Sequence, residues 1–177
     1  MDDRQNVVEA GLWNIYRKRL RLQSASLRDA AGCKVIAFTG SDRKVQWLRN
    51  NTRADHVFNY KKVNIQQAIS EAAPEGVDCF FDNVAGEFAS KVYSRMKTFG
   101  RIACCGFISH YNKDFRNLEL ATMVQGYMIA SQLKCEGFQV DRYEGRFDEA
   151  RKQVVEWMDK VYAHSHNAHI RPHARCF

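Results

Sequence analysis

The chain has 177 residues, 45% of them hydrophobic and 27% charged, which is material for one compact core rather than two. The net charge of +7 would suit a polyanionic partner. Lys and Arg are interspersed with acidic residues, however, and no aromatic-studded basic stripe or known reader motif occurs, so nucleic-acid binding is not expected. The longest uncharged stretch, residues 120–133, is too short for a membrane span and contains Gln125 and Gln132. Residues 1–4 lead into no apolar signal segment, and the six cysteines read as reduced thiols, so a cytoplasmic protein is expected.

In chain order, residues 6–16 carry Val7, Val8, Leu12, Trp13 and Ile15 and could supply a helix or a strand. The basic run Arg17-Lys18-Arg19-Leu20-Arg21 reads as a solvated face or arm. Cys33-Lys34-Val35-Ile36-Ala37-Phe38-Thr39 is a β-rich run stopped by Gly40, after which Ser41-Asp42 opens a helix with Val45, Trp47 and Leu48. Residues 56–58 form a weak strand. Residues 63–73 form a helix with Ile65, Ala68, Ile69 and Ala72 at helical spacing, closed by Pro74 and Gly76. Strand 78–81, helix 86–99 and strand 101–105 follow, then helix 118–132, strand 133–140 and a last amphipathic helix over 145–162. Alternating strands and helices imply right-handed crossovers and a parallel sheet, an α/β doubly wound architecture.

The chemistry falls in the loops at the strand ends, the ligand-binding edge of such sheets. Thr39-Gly40-Ser41-Asp42-Arg43-Lys44 ends a strand without a carboxylate. Its hydroxyl, cations and helix N-terminus suit a 2′-phosphate and favour NADP over NAD; an ordinary N-cap with solvated basic residues is the commoner reading of the same text, and Asp42 weakens the phosphate case unless it caps the helix. Asp82-Asn83-Val84-Ala85-Gly86 places an amide side chain and a turn at the next strand end. Cys105-Gly106-Phe107-Ile108-Ser109 lets backbone pass close to a flat ring, because Gly106 has no side chain. Tyr93-Ser94-Arg95-Met96-Lys97 matches the Tyr-x-x-x-Lys pair of short-chain dehydrogenases. It lies almost against Asn83-Val84-Ala85-Gly86, whereas in that family the two motifs are far apart, so the match is taken as coincidence.

Gly40-Ser41-Asp42-Arg43-Lys44, Phe58-Asn59-Tyr60-Lys61, Phe81-Asp82-Asn83-Val84-Ala85-Gly86-Glu87-Phe88, Met96-Lys97-Thr98-Phe99-Gly100-Arg101-Ile102, Cys105-Gly106-Phe107-Ile108-Ser109-His110-Tyr111-Asn112 and Glu136-Gly137-Phe138-Gln139-Val140 together resemble the prostaglandin reductases. These are zinc-free medium-chain reductases, also known as leukotriene 12-hydroxydehydrogenases and 2-alkenal reductases. The resemblance runs over residues 24–162 and implies a partial NADP-binding Rossmann domain there. Residues 1–23 are then a divergent N-terminal segment and residues 163–177 a divergent His-rich tail without order. It implies that Ser41 and Lys44 meet the 2′-phosphate, that Tyr60 lies on the adenine side and that Asn83 bonds near the nicotinamide ribose. Cys105, Gly106, Phe107, Ile108, Ser109 and Tyr111 would wrap the nicotinamide, with Phe138 and Val140 lining its far side. Tyr111 is the implied catalytic donor to a substrate carbonyl or enolate oxygen. The implied activity is NADPH-dependent reduction of the carbon–carbon double bond of enones and enals, oxo-eicosanoids among them, with no metal. A homodimer through the edge strand 133–140 is also implied.

Ala85 stands where the family usually has a second glycine. No Gly-x-Gly-x-x-Gly occurs, and neither the family's GroES-like catalytic domain nor its first Rossmann strand is recognisable. The expected sheet is therefore incomplete at its centre unless residues 6–16 supply a substitute, and cofactor affinity is expected to be reduced. The alternative expectation is an inactive Rossmann fragment that pairs with a full-length relative as a dimerisation or regulatory partner. His164, His166, His169, His173 and Cys176 have spacings that could ligate a metal, but a polar tail is the expected reading.

Overall fold

The structure, a computed structural model, describes residues 5–10, 32–52, 54–111 and 124–165. The His-rich tail beyond residue 165, the basic run 17–21 and the first part of the expected helix 118–132 lie outside the described residues, as does the side chain of His164.

Six parallel strands form one sheet: β1 (Gln5–Ala10), β2 (Cys33–Thr39), β3 (His56–Asn59), β4 (Val77–Asp82), β5 (Met96–Cys104) and β6 (Lys134–Gly137), in the order β3-β2-β1-β4-β5-β6. This is the doubly wound order of a Rossmann sheet. The central position expected to be empty is occupied. Gln5–Ala10 pairs with β2 over its whole length, Val7 opposite Val35 and Val8 opposite Ile36, and with β4 on its other side, Val8 opposite Phe80. Two consecutive β-branched residues, both buried, are what a strand covered on both faces requires. Asn6 fixes the register at the start of β1: its amide N–H donates to Asp78 at 2.7 Å and its side chain donates to the Gly76 carbonyl at 3.0 Å.

Side-chain alternation divides the core between the two sheet faces. Ile36, Phe38, Val8, Phe80 and Ile102 face one side, where α2 (Ile65–Ala72) and α3 (Gly86–Tyr93) cover them with Ile65, Ile69, Phe88 and Val92. Ala37 and Val57 face the other side, under Val45 and Leu48 of α1 (Asp42–Asn51). The split follows from right-handed crossovers: steps leftward from β2 to β3 place their helix on one face, and steps rightward from β3 onward place theirs on the other. Asn64 caps α2 by accepting the Gln67 N–H at 3.1 Å.

Three expected elements have different bounds. Helix 86–99 ends at Tyr93, and β5 begins at Met96 instead of residue 101. The apolar text Val92, Met96 and Phe99 fits helical spacing, but Val77 pairs with Met96 and its N–H bonds the Arg95 carbonyl, so sheet pairing overrides the local pattern. Phe99, at φ +63°, marks the irregularity at which the register then shifts to Cys79 opposite Arg101. Strand 133–140 contracts to β6, after which residues 140–146 turn as a 3-10 helix into α5 (Phe147–Ser165). Before β6, α4 (Gln125–Ala130) is short and exposed. No helix among the described residues is long and apolar enough to cross a membrane.

Candidate functional site

At the carboxyl ends of the strands, the loops after β4 and β5 are built as one unit. Asp82 closes β4 and is buried; its Oδ1 accepts the N–H groups of Val84 and Ala85, both at 2.9 Å, in a tight turn. Burial pushes the Asp82 carboxyl above its ordinary range, and those two N–H bonds offset only part of the shift. The loop after β5 then hangs on the backbone of this turn. Cys105 and Gly106 donate N–H to the Asp82 carbonyl, Ile108 to the Asn83 carbonyl at 3.1 Å and Ser109 to the Val84 carbonyl at 3.2 Å. The Ser109 hydroxyl donates to the same Val84 carbonyl and lies 2.7 Å from His110 Nδ1.

Gly106 is required by this arrangement. A β-carbon there would overlap Asn83 Oδ1 and lie 3.1 Å from the Tyr111 hydroxyl oxygen. The sequence-derived residues Asn83, Gly106 and Tyr111 are thus brought to one point, and the ring of Tyr111 stands edge-on to Phe107 with centroids 4.9 Å apart. Tyr111 is 47% exposed. Ala85 at the apex of the turn has φ +62° and ψ −167°, a backbone region that is essentially glycine's.

Ser41, Lys44 and Tyr60 form a second group where β2 and β3 end. The Ser41 carbonyl accepts the N–H groups of Lys44 and Val45 at 3.0 Å, and its hydroxyl makes no capping bond. Tyr60 donates its N–H to the Thr39 carbonyl at 3.0 Å and lays its phenol ring against Gly40, where an added β-carbon would be 3.0 Å from the hydroxyl. Asp42, the one acid in this loop, is held by Lys62 Nζ and by Asn59 Nδ2, the latter at 2.7 Å. Those bonds, that to Lys62 first, keep its carboxyl below the ordinary range. Lys62 was not picked out from sequence; the signal available was its position two residues after the strand-ending Asn59-Tyr60.

Phe138 and Val140 follow β6. Phe138 donates its N–H to the Cys104 carbonyl at 3.2 Å but packs its ring against Phe81 and Tyr143. Val140 is 62% exposed. A groove of about 420 Å³ runs along the sheet, lined by Phe81, Arg101, Ala103, Glu136, Phe138 and Tyr143 among others. It follows the strands rather than the loop cluster, and we place the candidate site at the loops, where the polar groups and the Gly106 opening converge. The Tyr93 and Lys97 pair diverges: Tyr93 ends α3, while Lys97, on β5, reaches Asp78 at 3.3 Å. Among the described residues, no group of three or more His, Cys, Asp or Glu side chains could hold a metal ion.

The profile of the zinc-binding dehydrogenases matches residues 23–160, and the chain belongs to that family. It is 42% identical over 143 residues to mouse (Mus musculus) prostaglandin reductase 1, covering 76% of this chain and 41% of that protein. It is 35% identical over 127 residues to the NADP(+)-dependent 2-alkenal reductase of Nicotiana tabacum, covering 70% of this chain and 36% of the relative. The chain therefore spans about two fifths of the length of the curated relatives it matches. In three dimensions it is similar to CurA from Vibrio vulnificus, whose crystal structure holds NADPH, with a TM-score of 0.76 at 22% identity over 90% of this chain and 47% of CurA. That likeness establishes a shared fold.

Proposed function

We propose that this chain provides the nicotinamide-cofactor half of an NADPH-dependent reductase acting on the carbon–carbon double bond of enones and enals, of the 2-alkenal and 15-oxoprostaglandin 13-reductase type. The observation that carries the reading is the convergence of Asn83, Gly106 and Tyr111 at the carboxyl edge of a doubly wound sheet, with cations and a hydroxyl at the other end of the same edge.

The residues present fit NADP at both ends. Ser41 offers a hydroxyl that makes no capping bond at a helix N-terminus, Lys44 offers a cation, and Asp42 is neutralised by Lys62, so a 2′-phosphate would not face an unpaired carboxylate. Tyr60 would hold the adenine side. Asn83 would bond the nicotinamide ribose, and the Cys105–Gly106 backbone, bare of a side chain at Gly106, would pass beside the ring. Bound NADPH supplies the hydride. Tyr111 would donate its hydroxyl proton in a hydrogen bond to the substrate oxygen as negative charge develops on it, which is transition-state stabilisation of the oxyanion-hole kind. Phe138 and Val140 would line the far side of the nicotinamide pocket.

Residues 24–162 with β1 are the proposed cofactor domain, and a cytoplasmic setting accords with the reduced cysteines. A second reading is favoured by one observation: β6 is an exposed four-residue edge strand, open to strand addition by a second copy or a full-length relative. In that reading the chain is a dimerisation or regulatory partner without activity of its own. Enone-dependent oxidation of NADPH by the purified chain decides between them. Turnover that falls about tenfold or more in Tyr111→Phe supports the first reading, since lost oxyanion-type donors cost that much or more. No turnover alone, but altered turnover of an added full-length relative, supports the second.

A further inference from the structure

Three side chains outside the cofactor residues meet on the sheet face covered by α3. Cys104, at the end of β5, and Cys135, on β6, place their sulfurs 3.4 Å apart, and the Tyr93 hydroxyl lies 3.3 Å from the Cys135 sulfur. Alternation accounts for the meeting. Lys134 and Glu136 line the groove on the opposite face, so Cys135 points back toward Ile102, its partner in register, and toward Cys104 two residues on.

We propose that Cys104 and Cys135 form an oxidisable dithiol that closes to a disulfide when the protein meets a hydroperoxide. Cys135 is exposed and Cys104 is half-buried, so an oxidant arriving from solvent reaches Cys135 first. Attack of the Cys135 sulfur on the peroxide breaks the O–O bond, gives a sulfenic acid and releases water from hydrogen peroxide or an alcohol from an organic peroxide. The Cys104 sulfur then attacks the sulfenic sulfur; the S–O bond breaks, and the leaving hydroxide takes up the Cys104 proton as water. Two thiols are oxidised and one peroxide is reduced.

Geometry favours closure at this pair. The sulfurs must approach from 3.4 Å to about 2.05 Å, and β6, four residues long and bonded to a single neighbouring strand among the described residues, can move the remaining distance. Burial, followed by the hydrogen bond with Cys135, pushes the Cys104 thiol up to about 12, which casts Cys104 as the second, resolving thiol. The bond would clamp the edge strand to β5 at the residue that leads into Cys105 and Gly106, so oxidation would stiffen the approach to the candidate site.

The test is peptide mapping of the full chain after hydrogen peroxide treatment and alkylation without reduction. Trypsin cuts after Arg101, Lys113, Lys134 and Arg142, so the proposed bond joins peptide 102–113 to peptide 135–142. The expected result is that linked pair, with the loss of two alkylatable thiols per chain, reversed by dithiothreitol, retained in Cys105→Ser and absent from Cys104→Ser and Cys135→Ser. Retention of the link in Cys104→Ser would assign it to Cys105 and overturn the proposal. So would oxidation that leaves Cys135 as a stable sulfenic or sulfinic acid, or that joins it only to another chain.

Discussion

The side-chain oxygen of Asn83 occupies the space that a side chain on Gly106 would need. The loops after β4 and β5 therefore share one van der Waals boundary as well as their backbone bonds from Cys105, Ile108 and Ser109 to residues 82–84. Gly106→Ala should displace the Asn83 amide and cost about 1–3 kcal/mol of stability, the usual range for forced overpacking. Because the cost acts through Asn83, it should shrink when Asn83→Ala is made in the same chain, leaving a coupling of roughly 1 kcal/mol in a double-mutant cycle followed by urea unfolding. Additive effects of the two substitutions would separate the loops energetically.

Ala85 holds a glycine conformation at φ +62° and ψ −167°. Strain of that kind costs about 1–3 kcal/mol, against about 0.5–1 kcal/mol for the added freedom of glycine in the unfolded chain. Ala85→Gly should therefore stabilise the protein by about 1 kcal/mol and raise its melting temperature by roughly 2–4 °C. A lower melting temperature would mean that the turn relaxes away from this conformation in solution.

Asp82 is raised above its ordinary range mainly by burial. Its folded-state value exceeds the unfolded one, so between the two the native state binds more protons and stability falls as pH rises through that window. Above it the full cost of the buried carboxylate is in place. Asp82→Asn keeps an oxygen acceptor for the Val84 and Ala85 N–H groups and removes the charge. The variant should be at least as stable as the parent at pH 7 and should lack the parent's decline from pH 4 upward, read by urea midpoints across that range. A variant clearly less stable at pH 7 would show that the turn amides stabilise the charge more than burial penalises it.

The sequence made the sheet class and the loop chemistry legible because buried parallel strands are continuous apolar runs and their ends are abrupt, as at Phe81-Asp82 and Cys104-Cys105. It did not settle what fills the centre of the sheet. Gln5–Ala10 is a short run with a polar start, and its membership follows from partners 70 and 72 residues away, Gly76 and Asp78, which hold Asn6. Local periodicity likewise extended α3 through Met96 and Phe99, where pairing with β4 takes over. In the candidate site, Asn83 and Gly106 were readable because an amide and a glycine at strand ends carry chemistry on their own, whereas Tyr111 came only from the family resemblance. Lys62 and the Cys104, Cys135 and Tyr93 cluster were not, since their meaning lies in cross-strand register and in the pairing of Lys62 with Asp42 across the β2 and β3 ends.

With β1 in the central position, the sheet runs unbroken between the strands that carry the proposed cofactor residues, even though the chain carries no Gly-x-Gly-x-x-Gly. Titration of the purified chain with NADPH and, separately, NADH, followed by nicotinamide fluorescence, tests this most directly. The account predicts saturable NADPH binding with a dissociation constant below about 1 mM, worth at least about 4 kcal/mol. It also predicts weaker NADH binding, and a loss of that preference in Lys44→Ala. Absence of binding at millimolar NADPH, or equal affinity for the two cofactors, would contradict it.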